Sequence, residues 1–223
     1  MMRRKIRVGI GLVAAGLLAG MVSSRGASAQ PPDPVPVPAP ADVSIRRITL
    51  SGPACPEGTA TVNLFDNNRA FVIVFNEFRV EAGPGTTGAD SSKHCVATIE
   101  LDFPAGYTWT VSQTAYRGNA ILGSSVNARF RSRLSFPGQR SVSGDVVLLG
   151  PQLSDFELLA RYDLRTWAPC GRTVPMTATA TAQVDNTANP TQSGIITVEQ
   201  QDGTFDMVFN LNWGLCPSPV IRR

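Results

Sequence analysis

The chain has 223 residues, 43% of them hydrophobic and 17% charged, with a formal net charge of +3. Its first 29 residues carry five basic side chains (Arg3, Arg4, Lys5, Arg7, Arg25) and no acid, so the remainder stands at −2. The basic balance is therefore no sign of a nucleic-acid or acidic-surface partner, and the chain beyond residue 29 is long enough for one domain with a substantial core.

The N-terminus opens with the basic run Arg3-Arg4-Lys5-Ile6-Arg7, continues into an apolar stretch over 8–22 and ends in Ala27-Ser28-Ala29. A charged start, a short apolar segment and a small-residue exit predict a secretory signal peptide over 1–29. Four glycines (Gly9, Gly11, Gly16, Gly20) interrupt the apolar stretch, which is short for a spanning helix of about 20 residues, so no membrane span is expected once the signal is removed. No cysteine lies near the exit to take a lipid. Residues 30–41 read QPPDPVPVPAPA. Proline fixes φ and donates no N–H, so this segment is expected as an extended polyproline II spacer outside any sheet interior, ahead of one domain over 42–223.

From there the pattern alternates. In 97–103, Ala97, Ile99, Leu101 and Phe103 share one face; in 126–136, Val126, Ala128, Phe130, Leu134 and Phe136 do; in 156–164, Phe156, Leu158, Ala160, Tyr162 and Leu164; in 204–213, Phe205, Met207, Phe209, Leu211 and Trp213. A period of two with polar residues between is the mark of antiparallel strands with one face on a core. Further strands are expected at 43–50, 59–65, 70–81, 107–117, 143–149, 174–184 and 194–200. Turn-forming clusters such as Asp66-Asn67-Asn68, Gly83-Pro84-Gly85 and Pro137-Gly138 separate them. Gln201-Asp202-Gly203-Thr204 predicts a hairpin joining the last two strands. About eleven short strands make an all-β protein, an antiparallel two-sheet β-sandwich of jelly-roll-like kind.

The four cysteines, Cys55, Cys95, Cys170 and Cys216, all lie beyond the signal segment and lack the close spacing of metal ligands. An even count in an exported chain predicts two disulfides. Three pairings are possible; Cys55–Cys95 with Cys170–Cys216 is preferred because each closes a shorter loop.

Several landmarks stand in order: Pro53-Ala54-Cys55-Pro56-Glu57-Gly58-Thr59, Val72-Ile73-Val74-Phe75-Asn76-Glu77-Phe78, Gly83-Pro84-Gly85-Thr86 running to Ser91-Ser92-Lys93-His94-Cys95, Trp167-Ala168-Pro169-Cys170-Gly171 and Trp213-Gly214-Leu215-Cys216. Together they resemble the secreted fungal and bacterial family catalogued as domain of unknown function 4360, over roughly residues 50–216. The resemblance implies export, a β-rich fold and paired cysteines, and no activity. His94 stands where that pattern expects asparagine, which argues against an essential histidine.

Chemistry-bearing residues are sparse. His94 is the single histidine, with no G-x-S-x-G to make a triad, and reads as a polar residue beside a disulfide. Glu77 is the candidate acid of a glycoside-hydrolase-like pair, since strict alternation from Phe71, Ile73 and Phe75 turns it inward. A bulge at Asn76-Glu77 would turn it out again, because Phe78 and Val80 then carry the apolar phase. In the polar loop 83–94, Asp90, Ser91 and Ser92 offer oxygens to a hard cation or a partner. Arg129, Arg131 and Arg133 form a basic stripe fit for phosphate, sulfated glycans or anionic envelope polymers, unless Glu157, Asp155 or Asp163 on a nearby strand pairs with it. Thr177, Thr179 and Thr181 line one strand, which is too little for an ice-binding array. Tyr107 and Trp109 share a face that could stack on a sugar, although Val111 continues that face toward a core; Tyr116 is expected on the opposite face. Trp213 is expected in the core and Trp167 against the nearby disulfide.

The reading is an exported, non-catalytic binding or structural β-sandwich with a glycan or envelope ligand, without cofactor, metal or nucleic acid. The rivals are a carboxylate-dependent hydrolase using Glu77 and a protein-partner or inhibitor module using the 83–94 loop.

Overall fold

In the computed structural model of the protein, residues 33–163, 166–197 and 205–217 are described; the expected signal segment over 1–29 lies outside them. These residues form thirteen strands in two antiparallel sheets and a single turn of helix. The larger sheet holds β1 (Val35–Val37), β3 (Ala60–Phe65), β4 (Ala70–Phe75), β5 (Arg79–Ala82), β7 (Tyr107–Leu122), β10 (Gln152–Arg161), β12 (Gly194–Thr197) and β13 (Phe205–Leu215). The smaller sheet runs β2 (Ser44–Ser51), β6 (Ser92–Asp102), β11 (Met176–Asp185), β8 (Asn127–Ser135) and β9 (Val142–Leu149). The helix α1 (Gly88–Ser91) leads into β6.

The strand orders β4-β13-β7-β10 and β6-β11-β8-β9 interleave as a jelly roll: counted along the chain, the first of these eight strands lies beside the last in one sheet, and the second beside the seventh in the other. β12 and β13 both pair with β7, β12 along its C-terminal residues and β13 along the rest, so they lie end to end. β5 and β4 do the same on their other side.

The hairpin expected at 201–204 lies outside the described residues; the described strands on either side, β12 and β13, pair with β7 and with β5 or β4. The expected strand 70–81 is two strands broken at Asn76-Glu77, which lets Phe75 and Phe78 both turn inward. The proline segment is also more than a spacer. Val35, Pro36 and Val37 pair with Leu215, Gly214 and Trp213, while Asn68 Nδ2 donates to the carbonyls of Pro40 and Ala41 at 3.0 and 2.9 Å. Proline is compatible with such an edge because alternate backbone N–H groups point away from the partner strand.

The two inner faces meet in one core. Phe71 stacks on Phe209 at 4.6 Å and Phe78 on Phe205 at 4.2 Å, and Phe130 reaches across from the smaller sheet to Tyr116, Phe156 and Phe205. Trp213 is buried as expected, its indole donating to the Asn68 carbonyl at 2.9 Å. Between Val111 and Gln113 the register of β7 against β13 slips at Ser112. This bulge changes the phase of alternation, so Trp109 and Tyr116 both face inward, where strict alternation had placed them on opposite faces. A chain of buried hydroxyls ties the sheets together. Tyr116 donates to Ser132 Oγ at 2.7 Å, Ser132 meets Tyr162, and Tyr162 meets Thr114 Oγ1 at 2.7 Å.

Both disulfides form in the preferred pairing, with Cα–Cα distances of 5.5 Å for Cys55–Cys95 and 5.8 Å for Cys170–Cys216. The first ties the turn at Gly52 to β6, where the Ala54 amide donates to the His94 carbonyl at 3.0 Å. Gly52 has φ +123°, and a Cβ there would lie 2.4 Å from that carbonyl oxygen.

Candidate functional site

The outer face of the larger sheet carries side chains in rows across the strands. Buried Val80, Ala82, Ala120, Leu122, Phe156 and Ile196 point inward, so their neighbours point out. One such row runs Glu81, Ile195, Ile121, Leu153 over β5, β12, β7 and β10. Ile121 is 41% exposed and Leu153 78%, which is unusual for aliphatic side chains on adjacent strands.

The next row toward the middle of the sheet is polar: Arg79, Thr197, Asn119, Asp155. Arg79 pairs with Glu81, whose carboxylate holds the guanidinium still more firmly protonated than usual. Asn119 Nδ2 donates to Asp155 at 3.0 Å, while Asn119 Oδ1 is buried without a hydrogen-bond partner. One row further, Arg117 pairs with Glu157 at 3.1 Å beside Asp206, whose Oδ1 also lacks a partner. Burial holds the Asp206 carboxyl above the usual carboxylate range, with Arg117 opposing and Glu157 adding to the shift.

Loops form the other border. Grooves of about 320 and 530 Å³ meet at Ile121 and Ser193; the first is bounded by Arg79, Glu81, Pro84 and Thr86, the second by Pro151, Gln152, Leu153 and Gln192. Glycines bring these loops together: a Cβ on Gly83 would lie 2.4 Å from Ser193 Oγ, and one on Gly123 2.6 Å from Gln192 Oε1. The Gly123 amide donates to the Ser193 carbonyl at 2.9 Å. The result is a trough across the strands, with an aliphatic floor, a row of amide, hydroxyl and carboxylate groups along one side, and Gln152, Gln192 and Ser193 along the other.

A family model described as "Domain of unknown function (DUF4360)" matches residues 41–216. The chain belongs to the DUF4360 family. A relative from Arthroderma benhamiae, "Uncharacterized secreted protein", is 28% identical over 205 residues, covering 88% of this chain and 83% of its own length. Two solved structures are similar at low identity. TmCBM61 in complex with β-1,4-galactotriose has a TM-score of 0.32 and 11% identity, over 77% of this chain and 90% of that one. The enzymatically active domain of Bacteriophage CBA120 tailspike protein 4 has a TM-score of 0.25 and 12% identity, over 77% of this chain and 20% of that one.

The DUF4360 domain scatters the residues singled out from sequence. Trp109 is 1% exposed and packs edge-on against Phe136 at 5.0 Å, and Tyr107 is half-buried on the same inner face. The sugar platform of Tyr107 and Trp109 is therefore corrected to core. Glu77 is exposed at the bend between β4 and β5, the outward placement that a break at Asn76-Glu77 gives and not the inward one of strict alternation that made it the candidate acid. Glu100 and Asp102 face out toward Arg46, at 3.5 and 3.8 Å.

In the 83–94 loop, Asp90 caps α1. Its carboxylate accepts from the Thr87 amide and hydroxyl at 2.9 and 2.7 Å, and these bonds hold it below the usual carboxylate range. Ser91 donates to the Gly88 carbonyl, and Ser92 already begins β6. Among the described residues no cluster of three or more His, Cys, Asp or Glu is placed to hold a metal ion. Arg129, Arg131 and Arg133 lie on the outer face of the smaller sheet. The acid that pairs with two of them is Asp145 of β9, not the expected Glu157 or Asp155, which serve Arg117 and Asn119 on the other sheet. Trp167 lies over Gly214, where a Cβ would come within 3.0 Å of its ring and 2.8 Å of Pro34.

Ile121 and Leu153 were missed because β7 and β10 extend beyond the expected 107–117 and 156–164, and Ile195, inside the expected strand 194–200, was not singled out. The signal was present: each is an aliphatic residue out of phase with its strand's inward positions, which alternation alone flags as exposed.

Proposed function

We propose that the DUF4360 domain is exported and acts outside the cell as a non-catalytic binding module for an uncharged glycan chain laid across the larger sheet. The observation that carries this reading is the row Ile195, Ile121, Leu153 set between two polar borders. A sugar ring has an apolar C–H face and a rim of hydroxyls, and such a trough offers a surface to each. Adjacent strands are about 4.8 Å apart, close to the advance of one ring along an extended chain, so each ring meets one aliphatic side chain. Glu81 and Asp155 supply acceptors to hydroxyls, and the Asp155 carboxylate, whose hydrogen-bond partner is the neutral Asn119 amide, disfavours anionic sugars here. Two disulfides and a secreted relative support an extracellular setting. Among the described residues, no helix is long and apolar enough to cross a membrane.

Native electrophoresis through gels containing β-1,3-glucan, hydroxyethylcellulose, mannan, galactan or xylan tests the reading. Retardation by at least one polymer is expected, and Ile121→Asp abolishes it. Unretarded migration throughout, or retardation untouched by Ile121→Asp in a folded variant, refutes it.

A further inference from the structure

The opposite face of the sandwich carries a different chemistry. On β8, Ala128, Phe130, Ser132 and Leu134 are buried, so Arg129, Arg131 and Arg133 stand outward in a straight line. Alternate residues of a strand are about 6.8 Å apart, which separates the first and third arginines by about 13 to 14 Å at the backbone. β11 sets Gln183, Thr181 and Thr179 directly beside them, and β9 sets Val147, Asp145 and Ser143 on the other side.

The charges do not balance. Asp145 serves two of the three guanidiniums, at 3.0 Å from Arg131 and 3.5 Å from Arg129. Asp185 lies near Arg129 in a groove of about 350 Å³, but its carboxylate also accepts from the Thr187 amide at 2.9 Å. Arg133 donates to Ser141 Oγ at 3.0 Å and has no carboxylate within 4.0 Å among the described residues. All three arginines are exposed, and Arg129 and Arg131 show half or more of their side-chain surface.

We infer that this ladder binds a linear anionic polysaccharide running along β8, its carboxylate or sulfate groups taking guanidinium hydrogen bonds while Thr179 and Thr181 contact its hydroxyls. Equal spacing along a line selects a repeating polymer, because three guanidiniums so arranged cannot converge on one small anion. Guanidinium forks suit carboxylate and sulfate alike. The flanking positions on β9 and β11 hold no aromatic ring on which a base could stack, which favours an acidic glycan over a single-stranded nucleic acid. Asp145 then acts as a built-in competitor. The inference concerns the sheet opposite the trough and stands whether or not the trough binds an uncharged chain.

The test is retention of the oxidised protein on immobilised polygalacturonate, dextran sulfate and uncharged dextran at low ionic strength. The first two distinguish carboxylate from sulfate as the source of charge. Retention on either charged matrix and not on dextran, released by salt, is expected. Arg131→Gln and Arg133→Gln should each weaken binding about two- to fivefold, the range of an exposed charge pair, and Asp145→Asn should strengthen it. Ile121→Asp should leave it unchanged. Passage through both charged columns, weaker binding by a folded Asp145→Asn protein, or a single-stranded DNA homopolymer competing as well as the glycans would each overturn the inference.

Discussion

Thr197 and Asp206 are nine residues apart in the chain, yet they face Asn119 and Arg117, which are two apart on β7. One line of strand is thus made from β12, which ends at Thr197, and β13, which begins at Phe205. Asp206 enters this line half-buried between Val74 and Arg117. Because burial raises its pKa, the native state holds that proton more tightly than the unfolded chain does. The contribution of Asp206 to stability therefore increases as pH falls from neutral through its native pKa, and its charged form costs stability above it. Asp206→Asn should raise the thermal midpoint slightly at neutral pH, and the gain over the unsubstituted protein should shrink on acidification. A lower midpoint at neutral pH would mean that the carboxylate has an attractive partner.

The hydroxyl chain through the core gives a second prediction. Ser132→Ala leaves the Tyr116 hydroxyl buried without its acceptor and should cost about 1–3 kcal/mol in urea unfolding, whereas Tyr116→Phe should cost about 0.5–1.5 kcal/mol because Ser132 keeps Tyr162. Burial pushes both phenols above the ordinary tyrosine range. Native Tyr116 and Tyr162 therefore stay protonated where the unfolded chain would ionise. Stability should fall as pH rises past the free-tyrosine value, and two of the three tyrosines should titrate only on unfolding, as read by phenolate absorbance.

The disulfides should differ in their response to mild reductant. Cys55 and Cys95 are buried, whereas Cys170 is exposed and Cys216 half-buried. Alkylation and mass spectrometry should find Cys170 and Cys216 labelled first. Replacing either pair by alanine should cost about 2–4 kcal/mol. Losing Cys170–Cys216 should also loosen the segment whose Ala168 amide and carbonyl bond to Trp109 and Thr108 at 2.8 and 2.6 Å.

Much of the fold was legible in the amino-acid sequence. The alternation of Phe205, Met207, Phe209, Leu211 and Trp213 named one side of the core because every second residue of β13 faces the other sheet. The preference for short disulfide loops found the pairing. What failed depended on partners that periodicity does not see. The bulge at Ser112 reverses the phase inside β7, so Tyr116 changes faces without any change in residue type. The prolines of 33–40 spoil a strand interior but not an edge. The trough was illegible as a site because Ile195, Ile121 and Leu153 are adjacent only through cross-strand register, which no single strand's pattern contains. The arginine stripe, confined to one strand, was readable at once; its acid partner on β9 was not.

The most direct test of glycan binding in the trough tracks backbone amide chemical shifts while adding short oligosaccharides of whichever uncharged polymer best retards the protein. Binding there predicts the largest shifts in 119–123, 152–155 and 192–197, with affinity rising to about three sugar units as the chain comes to span β12, β7 and β10 at about 4.8 Å per strand. Shifts confined to the smaller sheet, or none at any oligosaccharide length, would contradict it.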